Sequence, residues 1–76
     1  MSRMFYAIVY AYGRNTINNG NRADEVHRFP NEAQRTRFID EMERNGKEAD
    51  PILQSSSQVR KAIRYAAQGG DWPQLV

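Results

Sequence analysis

The sequence predicts a small α+β domain: an antiparallel β-hairpin, a helix, a short third strand and a second helix, in the order ββαβα, with both helices on one face of the sheet. Three observations carry this. Phe5-Tyr6-Ala7-Ile8-Val9-Tyr10-Ala11-Tyr12 is rich in aromatic and β-branched residues, which suit a pleated strand. Asn19-Gly20 is a strong hairpin signal, because both residues of a tight turn must take positive φ. Two later stretches carry helix caps and apolar residues at helical spacing.

The first strand is apolar on both faces, with Phe5, Ala7, Val9 and Ala11 on one and Tyr6, Ile8, Tyr10 and Tyr12 on the other. A half-exposed strand alternates apolar with polar, so this one is a central strand or one whose second face a partner covers. A two-residue turn at Asn19-Gly20 pairs Asn18 with Asn21, Arg14 with Glu25, Tyr12 with His27 and Tyr10 with Phe29. A bulge at Gly13 would shift that register by one, and the alternative is a loop from Gly13 to Arg22. The second strand runs from about Ala23 to Phe29, where Pro30 ends it.

Asn31 and Gln34 form a capping box for a first helix reaching Asn45, with Gly46 beyond its end. Its apolar face is narrow: Phe38, Ile39 and Met42, with the stem of Arg35 beside them. Lys47 to Asp50 reads as a loop. Pro51-Ile52-Leu53-Gln54 reads as a short third strand or a plug over the core; as a strand it lies antiparallel to the first, which is then central. Ser55 and Gln58 make another capping box, opening a helix to Gln68 with one apolar stripe of Val59, Ala62, Ile63, Ala66 and Ala67. Gly69-Gly70 stops it, and Trp72 in the tail folds back onto the core.

Seventy-six residues make one domain, residues 1–76. Charged residues are 26% and apolar residues 39%, the balance of a globular, soluble chain. No apolar run approaches the ~20 residues that span a bilayer, and the first residues lack a signal-peptide layout, so a cytoplasmic protein is expected. There is no cysteine, hence no disulfide framework or thiolate chemistry. Net charge is +2, distributed as +3 over residues 1–23, −3 over 24–50 and +2 over 51–76.

Neither metal-ligand spacing nor a glycine-rich phosphate loop is present, and no cofactor is expected. His27 is the one candidate for proton transfer, and a single strand histidine is more often structural. No catalytic residues are assigned and the chain is read as non-enzymatic.

Two binding surfaces are predicted. Tyr6, Tyr10 and Tyr12, with Arg14 and Arg28, combine the residue types enriched at protein interfaces and point to a larger protein partner or to self-association. The same tyrosines would suit base stacking, as sheet aromatics do in RNA-binding modules, but the G/A-F-V-x-F pattern of that family is absent. Arg60, Lys61, Arg64 and Tyr65, on the outer face of the second helix, form the alternative, a nucleic-acid-binding surface.

Ser55-Ser56-Ser57-Gln58-Val59-Arg60 resembles the S-S-[ST]-x-[IV]-R signature of the nucleotidylyltransferase superfamily. That family also has an H-x-G-H element after its first strand, which this chain lacks, and the hexapeptide is read as a helix cap. In size and plan, with FYAIVYAY, an NNGN turn and EVHRFPNEAQRTRFIDEM, the chain resembles small phage-encoded orphan proteins of the anti-CRISPR type. That resemblance implies an inhibitor that docks on a host protein assembly and blocks it.

Overall fold

The structure is a computed structural model that describes residues 3–13 and 24–76. It shows the expected α+β order with one strand added: β1 (Phe5–Tyr10), β2 (Glu25–Phe29), α1 (Glu32–Arg44), β3 (Glu48–Ile52), α2 (Ser57–Ala67) and β4 (Gln74–Leu75). The four strands form one antiparallel sheet in the order β3-β1-β2-β4. As its two apolar faces require, β1 is internal, and Tyr6, Ala7, Ile8 and Val9 are all buried.

The helices lie on opposite faces of the sheet, which corrects the expectation that they share one. In the pleat of β1, Phe5, Ala7 and Val9 point one way and Tyr6 and Ile8 the other. α1 covers the first face. Its Phe38 ring lies 4.4 Å from His27 and 5.1 Å from Phe29, and the Arg35 guanidinium is 5.3 Å from the Phe5 ring centre. The small floor of Ala7 and Ala49, both buried, lets the narrow apolar edge of α1 suffice. α2 covers the second face: Val59 and Ala62 are fully buried against Tyr6 and Val26, with Met4, Ile52, Ile63, Trp72 and Val76 packed around them. A strand apolar on both sides needs two covers. α1 links β2 to β3 across β1 on one side, and α2, which links β3 to β4 across β1 and β2, takes the other.

The hairpin register also differs from the expected one. Phe5 pairs with Phe29, Tyr6 with Arg28, Ala7 with His27 and Ile8 with Val26. The expected register would set Val26 across from Gly13 and leave its side chain without a core; the observed one buries it completely beside Ile8. β1 accordingly ends at Tyr10 and not Tyr12. Asn19-Gly20, Ala23 and Arg14 lie outside the described residues.

β3 starts at Glu48, three residues before the expected strand, and ends at Ile52, leaving Leu53 and Gln54 exposed. Pro51 is tolerated because β3 is an edge strand. β4 on the opposite edge was not expected. It pairs Leu75 with Glu25 and Gln74 with Val26, and the Val76 N–H donates to the Asp24 carbonyl at 2.9 Å.

Helix boundaries follow local chemistry closely. Asn31 caps α1, its Oδ1 accepting from the Gln34 N–H at 2.9 Å, a contact of the kind that contributes about 1 kcal/mol. Gly46, at φ 79°, ends it. α2 is capped by Ser56, whose Oγ accepts from the Val59 N–H at 3.2 Å, one residue later than the expected Ser55 cap. Of its stripe, Val59 and Ala62 are buried, Ile63 and Ala66 half-buried, and Ala67 exposed.

Candidate functional site

The tail after α2 builds the most structured surface feature. Gly69, at φ 102°, turns the chain out of the helix. Gly70 leaves room for the Gln74 amide: a Cβ there would stand 2.6 Å from Gln74 Nε2 and 3.2 Å from the Tyr65 carbonyl oxygen, so a side chain would displace that amide. Gln74 is buried and its Nε2 donates to the Asp71 carbonyl at 2.8 Å, closing the turn that carries Trp72. The Trp72 ring is thereby placed 5.8 Å from Tyr6, tilted by 49°.

Arg28 meets that ring from the sheet. It stands opposite Tyr6 in the β1–β2 register, so it shares the α2 face, and it is exposed. Its guanidinium carbon lies 5.0 Å from the Trp72 ring centre, within cation–π range. Between this pair and the C-terminal end of α2 lies a cleft of about 810 Å³, lined by Ile63, Ala66, Ala67, Gly70 and Tyr6 and, on its polar side, by Gln54 and Asp71. A cleft of mixed lining beside an Arg–Trp pair held by a closed turn can receive an apolar side chain against Ile63 and Ala66 and, next to Arg28, an acceptor.

The other expected interface residues do not gather there. Tyr6 is 4% exposed and belongs to the α2 core, so it is not a docking residue in its own right. Tyr10 is half-buried and pairs with Glu48. Tyr12, 66% exposed, lies beyond the end of β1, away from Arg28. The three tyrosines therefore form no common open face, because α2 occupies it. Arg14 lies outside the described residues. Trp72 is the residue that the functional reading of the sequence missed; its signal was a lone tryptophan placed after a Gly-Gly helix stop.

A second cleft, of about 740 Å³, opens at the other end of the sheet between Tyr12, His27, Phe38, Met42 and Lys47. His27 Nε2 lies 2.9 Å from Glu25 Oε1. Its ring, however, packs against Phe38 in a cluster that includes Phe29, and Ala7 rather than Tyr12 stands opposite it. That packing gives the histidine a structural job. Among the described residues no serine, threonine or cysteine lines this cleft, and no group of His, Asp and Glu is placed to hold a metal ion.

On the outer side of α2, Arg60 and Arg64 are exposed and Tyr65 is 37% exposed. Lys61 is half-buried; its Nζ donates to the Val76 main-chain oxygen at 3.2 Å and stands 5.7 Å from the Tyr65 ring centre. Among the described residues no helix is long and apolar enough to cross a membrane. No protein-family model matches the chain, and no curated protein or solved structure is similar to it.

Proposed function

We propose that this chain is a non-enzymatic binding protein that docks on a larger protein through the Arg28–Trp72 rim and the cleft beside it. The observation that supports the reading most is the pair itself: a guanidinium 5.0 Å from a tryptophan ring that a closed turn holds in place. Trp and Arg dominate interface hot spots because each joins a large contact area to a polar handle. A rigid anchor also loses little conformational freedom on binding, which leaves more of the contact energy for affinity. The expected occupant is an apolar side chain in the cleft with a carboxylate against Arg28. The narrower form of the proposal, implied by the architectural resemblance to phage inhibitors, is that docking blocks a host assembly.

Parallel capture from host extract with the unaltered chain, Arg28→Ala and Arg37→Ala tests this. Arg28 and Arg37 are both exposed, and α1 carries Arg37 on the far side of the sheet. The expected result is a partner held by the unaltered chain and by Arg37→Ala but lost or weakened at least about 30-fold with Arg28→Ala, the hot-spot range. Arg28→Ala retaining every partner at full affinity would contradict the proposal.

A further inference from the structure

We infer that the outer face of α2 is a contact surface for single-stranded nucleic acid, separate from the Arg28–Trp72 rim. Arg60, Lys61, Arg64 and Tyr65 stand at i, i+1, i+4 and i+5, so on a helix of 3.6 residues per turn they form one contiguous patch. Along α2 itself the charge is of one sign. No Asp or Glu occurs from Pro51 to Gly70. α1 holds four carboxylates, Glu32, Asp40, Glu41 and Glu43, against three arginines, and the sheet lies between it and α2. The two outward helix faces thus differ in sign, and the acidic side chains of α1 are set away from the basic patch. A polyanion therefore meets the protein α2 first.

Tyr65 narrows the ligand class. Its ring is partly exposed and carries Lys61 Nζ 5.7 Å from its centre. The Lys61 ammonium is also fixed by the Val76 oxygen, so cation and ring are presented together. Sequence-tolerant binding of single strands uses this combination, cations for the phosphates and an aromatic face for an unpaired base. A duplex buries its base faces in the stack and leaves the ring no partner.

The test is fluorescence anisotropy with labelled oligo(dT) and oligo(U) of about 20 nucleotides, and a duplex of equal length. With three cations on phosphates, log K should fall with log salt at a slope of about −2, so affinity should drop roughly 20-fold between about 50 and about 200 mM salt. Arg60→Glu with Arg64→Glu, both exposed positions, should abolish binding while circular dichroism stays unchanged. Tyr65→Ala should weaken single-strand binding about tenfold or more, from the lost stacking contact. No anisotropy change at the lower salt, undiminished binding by the double variant or by Tyr65→Ala, or a duplex bound as tightly as the single strands would each overturn the inference. Arg28→Ala should bind the oligonucleotides normally, which separates this surface from the docking rim.

Discussion

Tyr6→Ala is expected to lose about 3–5 kcal/mol of folding stability, the range for deleting a large buried aromatic side chain. Tyr6 is 4% exposed, lies in the cluster with Val26, Val59 and Ala62, and supports the Trp72 ring at 5.8 Å. The chain has few other large side chains to close such a gap: the largest fully buried ones on the described residues are the valines Val26 and Val59. For a domain whose whole stability is of the order of 5–15 kcal/mol, this loss is a large share. A urea melt followed by Trp72 fluorescence measures it. Tyr12→Ala, at a position 66% exposed, should change stability by no more than about 0.5 kcal/mol. Equal losses from the two variants would contradict the placement of α2 over Tyr6.

Val59→Asp should abolish cooperative folding, whereas Arg60→Asp one residue on should leave the melt within about 0.5 kcal/mol of the unaltered chain. Val59 is completely buried between α2 and the sheet, and a carboxylate there has no cationic partner in the core cluster, all of whose members are apolar or aromatic. An unpaired buried charge costs several kcal/mol, and a protein this small has little to spare. Arg60 is exposed. Circular dichroism at room temperature separates the two outcomes, and a folded Val59→Asp protein would place this side of α2 on the surface.

The parts of the fold legible in the sequence are those set by local chemistry. Asn31, Gly46 and Gly69 each act within a few residues of the boundary they set, and all three function as their residue types suggest. The central position of β1 was legible as well, since both of its faces are apolar. The same fact asked for a cover on each face; the expected arrangement left the tyrosine face to a partner, whereas α2 covers it. Register was less accessible. Asn19-Gly20 is a local signal, but pairing is decided by distant residues: Val26 reaches the α2 core only when it stands across from Ile8. β4 is two residues long and preceded by Pro73, so it carries no alternation of its own and is defined by its ladder with β2. At the candidate site, Arg28 was legible by residue type. Trp72 was recognised as a core contact, yet its meeting with Arg28 depends on the turn closed by Gln74, a contact between side chain and backbone that no spacing rule announces.

Trp72 is the one tryptophan in the chain, so 5-fluorotryptophan labelling yields a single fluorine resonance at the proposed docking rim. Titrating the labelled protein with the captured partner, followed by fluorine NMR, tests the docking claim most directly. The resonance should shift or broaden in proportion to the bound fraction, and the effect should vanish with Arg28→Ala. A resonance that keeps its position and width while the partner is demonstrably bound would place the contact elsewhere on the molecule and contradict the account.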